Sequence, residues 1–393
     1  MTEAAVGDGT YLEAAGGQAE EHGLVIAIFG PTGVGKTEVA SLVALELGVR
    51  VISCDSMQIY RAFPVLTNQP RQGAAAGEVV HELVGVAEAQ EEWSAALYGR
   101  RAQALIDADI ASTGWAVIAG GTGLYMRSAL APLAMSAAFD PERRAALERL
   151  AAAEGPQRLH ERLAAADPET AQKIHPHNVR RVVRALEVIE TEGASILSER
   201  RDLWQPEYRH PTLQIVLTAA RAELYERIEH RAREMVAGGA VEEVRRHRAL
   251  RAASLHSPAP ETPPAECAEP GGTAVKGAAE RSAPGSAAPG TVAAGGAPAR
   301  TAPEIPPTPP RGIERAIGYR ELTAHLDGET SLDEATAELA AATRRYVRRQ
   351  TTWLRRLKDA VIIDTSGREP GEISAQVLQT ALATRGRRRT PGS

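Results

Sequence analysis

The chain has 393 residues and a formal net charge of −5, with 43% hydrophobic but only 4% aromatic residues. That length exceeds one ordinary domain, the core must be aliphatic, and the acidic balance excludes a uniformly basic nucleic-acid binder. Two cysteines, Cys54 and Cys267, exclude a disulfide framework or a zinc quartet and fit a reduced, cytoplasmic setting.

The acidic, glycine-rich start reads as a disordered tail over 1–22, without the basic and apolar pattern of a signal peptide. The apolar runs are strand-sized, so no membrane partner is expected. LVIAIF at 24–29 predicts a buried strand, and a helix opens inside the following GKTEVASLVALEL. VRVISC (49–54) is a second strand, helical periodicity runs over about 91–111, and WAVIA (115–119) is a third strand. This rhythm implies an α/β fold: a parallel sheet with flanking helices.

From 132 to 205 the strands stop, and alanine, arginine and glutamate recur at helical spacing. We read an inserted all-helical domain between a first core part (23–131) and a second (206–250), which resumes with the strand LQIVLT (213–218). Thirteen of the 25 prolines fall in 251–310, a segment too poor in large apolar groups to fold, so a disordered Pro/Ala-rich insert is expected. A third core part (311–385) carries a long basic helix over about 331–358 and a strand VIID (361–364), and a tail follows at 386–393.

The strongest motif is GPTGVGKT, Gly30 to Thr37, which fits G-x-x-x-x-G-K-[ST] between a strand and a helix. The glycines let backbone N–H groups turn toward phosphate oxygens. The helix start adds its dipole. Lys36 neutralises phosphate charge, and the Thr37 hydroxyl suits Mg²⁺. The motif specifies phosphate rather than ATP. Asp55 follows the second strand and so lies beside the loop, because ligands in parallel sheets sit at the carboxyl ends of strands. It either assists a metal through water, accepts a proton, or caps the next turn. AGGTGLY (119–125) places Thr122 at another strand end.

Together GPTGVGKT, DSMQIYR (55–61) and GGTGLY resemble the tRNA dimethylallyltransferase (tRNA isopentenyltransferase) family. IHPHNVRRVVRALEV (174–188), ERIEHR (226–231), IGYREL (317–322) and RRYVRRQTTWLRR (344–356) follow in the family's order. The resemblance implies transfer of a dimethylallyl group from dimethylallyl diphosphate to N6 of the adenosine 3′ of the anticodon, with Mg²⁺. It also implies a P-loop, kinase-like core whose helical insertion would grip the anticodon stem-loop of a tRNA; separately, a monomer is expected. Gly30, Pro31, Thr32, Gly33, Val34, Gly35, Lys36 and Thr37 would cradle the diphosphate, with Thr37 on the metal. Asp55 would be the general base, Thr122 would line the channel, and Arg231 would hold the diphosphate from the other side. Ser56, Gln58, Tyr60, Gly121, Arg180, Arg181, Arg184, Arg227, Arg348 and Gln350 would meet the substrate. The chain departs from the usual family pattern at Gln69, where lysine is common, at Leu97–Tyr98, where Asp-Phe is common, and at Asn178, where aspartate is common.

The chemistry is consistent on its own terms. An allylic diphosphate ionises once its leaving charge is stabilised, and a carboxylate can take the amine proton as the new bond forms. No DDxxD metal motif is present, so prenyl transfer would rest on the P-loop. Seven Lys/Arg and no acidic residue lie between Arg344 and Lys358, a stripe suited to a phosphate backbone. The competing readings are a P-loop small-molecule or nucleotide kinase, for which VIID imitates a metal-binding strand, a prenyltransferase acting on free adenylates, and an RNA-binding NTPase.

Overall fold

The six residues Leu24–Phe29 are all buried, and their side chains alternate between two separate apolar clusters. Val25, Ala27 and Phe29 join one cluster, while Leu24, Ile26 and Ile28 join the other. That is the two-residue period of a strand covered on both faces. The computed structural model describes residues 23–70, 78–132, 140–193, 195, 207–256 and 312–389. The expected tail at 1–22, most of the Pro/Ala-rich insert with Cys267, and residues 390–393 lie outside the described residues.

Leu24–Phe29 is β1, in the interior of a six-stranded sheet. The others are β2 (Val51–Cys54), β3 (His81–Glu82), β4 (Trp115–Gly120), β5 (Thr212–Thr218) and β6 (Val361–Asp364). All pairings are parallel, in the order β3-β2-β4-β1-β5-β6. The α/β fold expected from the alternation is therefore the fold observed. Strand β3 was not anticipated, because two residues carry no readable period.

The register sets up the site. Phe29 lies opposite Gly120, and Gly120 lies opposite Cys54. The last residues of β1, β4 and β2 thus form one line across the sheet, and the three segments that leave them emerge side by side.

Helices cover both faces. α1 (Lys36–Leu47) follows β1, and α2 (Ala95–Thr113) is capped by Ser94, whose hydroxyl accepts the Leu97 N–H at 3.1 Å. α3 (Gly123–Leu130) follows β4. α4 (Pro141–Glu154), α5 (Pro156–Ala166), α6 (Pro168–Lys173) and α7 (Val179–Glu192) come in succession. They bury their own apolar cluster, including Leu147, Leu159, Leu163, Val182 and Leu186. Prolines open three of these helices, where the missing N–H costs nothing.

α8 (Arg221–Ala237) follows β5, and α9 (Ala240–His256), α10 (Tyr319–Leu326) and α11 (Leu332–Leu354) come next. α11 begins with a capping box between Ser331 and Glu334. α12 (Pro370–Arg389) contains the arginine run placed in a tail by the sequence reading. Its buried Ile373, Val377 and Ala381, spaced four apart, hold it to the sheet's second cluster.

Candidate active site

The phosphate loop runs from the end of β1 into α1. Gly33 and Gly35 take φ of 88° and 92°, a left-handed region that residues with a Cβ avoid. A Cβ on Gly35 would meet no atom within 4 Å, so the constraint there is the backbone turn itself. The loop bends around Lys36, whose Nζ donates to the Pro31 carbonyl at 2.8 Å. Burial pulls the Lys36 pKa down to about 8; nearby Asp55 opposes that shift and Arg231 adds to it. An ammonium in this position gains strongly from an anion.

Thr32, Gly33, Gly35, Lys36 and Thr37 line a cavity of about 490 Å³ together with Asp55, Ser56, Gln58 and Arg231. Asp55 sits at the end of β2, where its Oδ1 accepts the Met57 N–H at 2.9 Å. The carboxylate thus orders the turn after β2 and also lines the cavity, so the capping and chemical readings coexist. Thr122, at the end of β4, accepts the Ser56 N–H at 3.1 Å through Oγ1 and lies 3.4 Å from the Ser56 hydroxyl. Arg231 projects from α8, its pKa lowered by burial and supported by Asp55 and Glu234. Of the expected catalytic set, Asp55 and Arg231 line this cavity, and Thr122 lies behind its wall, bonded to Ser56.

The expected substrate contacts fare unevenly. Gln58 accepts from the Ser53 hydroxyl at 3.0 Å and donates to the Asn68 carbonyl at 2.7 Å, fixing the wall of the cavity. Tyr60 is core: 3% exposed, its hydroxyl donates to the Glu91 carbonyl at 3.1 Å, and burial pushes its pKa to about 12. Gln350 is also buried and bridges the Thr32 amide and the Gly121 carbonyl. Arg227 pairs with Glu223 on its own helix and lines a neighbouring outer cleft.

Among the helical arginines, Arg184 is held by the fully buried Glu187 at 3.1 Å, and Arg144 joins the same carboxylate at 3.2 Å. Arg181 and Arg348 are exposed. Arg180 is exposed, and its pKa is lowered by desolvation and by the nearby Arg315 and Arg144 guanidiniums. Arg344 of the basic stripe pairs with Glu229 at 2.6 Å.

Among the cavity-lining residues that were missed are Arg315, Tyr346 and Arg349. Arg349 lies over the Tyr346 ring at 5.5 Å, and Tyr346 is raised to about 12 by burial and by Asp55. The signal was the RRYVRRQ run itself, which names the helix without saying which of its faces meets the loop. The family departures are accommodated locally. Tyr98 is fully buried, stacks on Tyr125 at 4.2 Å and donates to the Ser53 carbonyl at 2.9 Å. Gln69 donates to the Tyr60 carbonyl at 2.7 Å, and Asn178 is the N-cap of α7 without a side-chain cap bond.

A phosphate loop, a carboxylate and a half-buried arginine around one cavity at the strand ends define a P-loop α/β enzyme built for a phosphorylated substrate. Comparison with known proteins narrows this class. The IPP transferase family profile matches residues 58–262 and 301–357, and the isopentenyl transferase profile matches 23–76. The chain is 37% identical over 338 residues to a tRNA dimethylallyltransferase of Geobacillus thermodenitrificans, covering 84% of this chain and 87% of the relative. It is 37% identical over 336 residues to a tRNA dimethylallyltransferase of Streptomyces coelicolor, with 84% and 87% covered. Among solved structures, the full-length tRNA isopentenylpyrophosphate transferase of Bacillus halodurans superposes with a TM-score of 0.56 at 26% identity, over 93% of this chain and 98% of that one. A eukaryotic dimethylallyltransferase acting on tRNA shares the fold, with a TM-score of 0.62 at 21% identity, over 93% of this chain and 77% of that one. The chain belongs to the IPP transferase family.

Proposed function

We propose that the protein transfers the dimethylallyl group of dimethylallyl diphosphate to N6 of the adenosine 3′ of a tRNA anticodon, releasing diphosphate. One observation carries the assignment: the phosphate loop and Asp55 leave registered strands at a single cavity, and Thr122, leaving the strand between them, accepts the N–H of Ser56 on the cavity wall. Membership of the family supports the reaction.

In this reading the loop amides, Lys36 and Arg231 bind the diphosphate. As the allylic C–O bond breaks, the electron pair leaves with the diphosphate, and the growing charge is met by cations already in place. The N6 lone pair forms the new C–N bond, and the N6 proton passes to the Asp55 carboxylate. Proton removal of this kind contributes about 10²–10⁴-fold. Thr122, fixed against Ser56, lines the path by which the adenine reaches the donor.

The residues present fit Mg²⁺. The Thr37 hydroxyl and the Asp55 carboxylate are hard oxygen ligands on one cavity, the donor type this ion selects. Thr37 would hold the ion directly and Asp55 through water. Bound there, it would supply further positive charge to the leaving diphosphate. Chelation of divalent metal is expected to abolish transfer and readdition of Mg²⁺ to restore it.

For the RNA, Arg180, Arg181 and Arg348 are the exposed cations proposed to track the anticodon stem-loop, with Arg315 and Arg349 nearer the cavity. A single-stranded loop can present its adenosine unstacked. Among the described residues no helix is long and apolar enough to cross a membrane. Footprinting tests the RNA reading: protection of the anticodon arm is expected, and protection confined to the acceptor stem would overturn it. Prenylation of free AMP at the rate of tRNA would transfer the assignment to the free-adenylate reaction.

The kinase reading loses its metal-binding strand. Asp364 ends the outermost strand β6, accepts from the Ser366 hydroxyl at 2.8 Å, and does not line the cavity.

A further inference from the structure

Gln350 was expected to contact substrate, yet its amide is committed elsewhere. It lies in α11, 5% exposed, and its Oε1 accepts the Thr32 N–H at 2.9 Å across 318 residues of sequence. Its Nε2 donates to the Gly121 carbonyl at 3.1 Å. Thr32 belongs to the phosphate loop, and Gly121 is the residue before Thr122. One buried side chain therefore ties the donor-binding loop to the acceptor-lining turn.

The fit around the amide is close. A Cβ added to Gly121 would stand 2.3 Å from Gln350 Nε2, which no ordinary contact allows. The Thr32 amide is thus committed to Gln350, as the Val34 amide is to the Pro31 carbonyl at 3.4 Å. At this reach a glutamine amide supplies this pair of groups without a change of protonation state. An acceptor for Thr32 and a donor for Gly121 are both needed; a carboxylate lacks the donor, an ammonium lacks the acceptor, and a thioether lacks the donor and accepts only weakly.

We propose that Gln350 is a positioning residue that locks the phosphate loop to the Gly121–Thr122 turn, holding prenyl donor and adenine acceptor in register. The proposal rests on the prenyl-transfer reading and adds a residue that touches neither reactant. Misplacement by about 1 Å at a reacting centre costs on the order of 100-fold. Loss of the lock therefore appears in kcat more than in either KM.

The test is steady-state transfer of labelled dimethylallyl to unmodified tRNA by the full chain, with Mg²⁺, for wild type, Gln350→Met and Gln350→Glu across pH. Gln350→Met keeps the side-chain length and loses both amide hydrogen bonds; kcat is expected to fall about 10–100-fold, with each KM within about threefold. Gln350→Glu distinguishes positioning from simple structural support. Its carboxylate accepts from Thr32 but confronts the Gly121 carbonyl with a second acceptor until it is protonated. A buried glutamate titrates above its ordinary range, so the activity ratio of Gln350→Glu to wild type should rise as pH falls from about 8 to 6.

A double-mutant cycle adds an independent reading. Gly121→Ala should be severe alone and add little on top of Gln350→Ala, where the clash is gone. Wild-type transfer with Gln350→Met matching its kcat would overturn the inference while leaving the reaction standing. So would a Gln350→Glu ratio flat in pH. A wild type that transfers nothing would overturn both.

Discussion

The phosphate loop and the arginine-bearing helices both present positive charge for phosphate, but they acquire it in different ways. In the loop, the charge is written into the backbone. Positive φ at Gly33 and Gly35 turns the chain around Lys36, and almost any occupant of this motif must fold so. On the helices, charge is a matter of side-chain partners. Arg184 and Arg144 are drawn to buried Glu187, Arg344 to Glu229, and Arg227 to Glu223, while Arg349 reaches the cavity. A row of arginines is therefore a set of alternatives among which the packing chooses.

The comparison can be broken most sharply at the chemical centre. Asp55→Asn keeps the turn acceptor for Met57 but removes the base; kcat should fall about 10²–10⁴-fold while binding of dimethylallyl diphosphate persists. Equal loss of donor binding, measured by equilibrium binding of the diphosphate, would make Asp55 a ligand-holding residue instead. Lys36→Ala should cost about 10²–10³-fold in kcat/KM for the donor, as befits a preplaced charge in a buried site.

The depressed Lys36 pKa gives a pH signature. In the free enzyme the ammonium is present below about pH 8 and lost above it. The donor's kcat/KM should accordingly decline as pH rises through about 8. A profile flat to pH 10 would show that Lys36 keeps its charge. At the small end, two helical arginines should separate. Arg184→Ala weakens the partnering of buried Glu187, and thermal unfolding should register a loss of about 1–3 kcal/mol with modest effect on tRNA KM. Arg181→Ala should leave stability within about 0.5 kcal/mol and raise tRNA KM in a salt-dependent way. The reverse pattern would mean that the packing shown for Glu187 does not decide the roles.

Legibility in the sequence divides along the same line. Long, buried strands with a motif at their ends were readable, because β1 and β4 are apolar runs and each motif sets the turn that leaves its strand. Parallel pairing of β2, β4 and β1 then brings Asp55 and Thr122 to the loop without further information. Strand β3 was too short to read, and α12 was hidden because its basic end looks solvated while Ile373, Val377 and Ala381 are buried. Tyr60 and Gln350 carry polar groups suited to a substrate, yet both spend them on backbone partners. Tyr346 and Arg349 were missed because a helix's inward face is set by its packing neighbour, and here that neighbour is far away in sequence.

The most direct measurement is to incubate the purified protein with Mg²⁺, labelled dimethylallyl diphosphate and an unmodified tRNA whose anticodon loop carries consecutive adenosines, with Asp55→Asn in parallel, and to count label in the RNA. The account predicts label at the adenosine 3′ of the anticodon and a mutant slower by orders of magnitude. Transfer of phosphate from ATP with no label in the RNA would contradict it, leaving the phosphate loop correctly placed and the reaction misassigned.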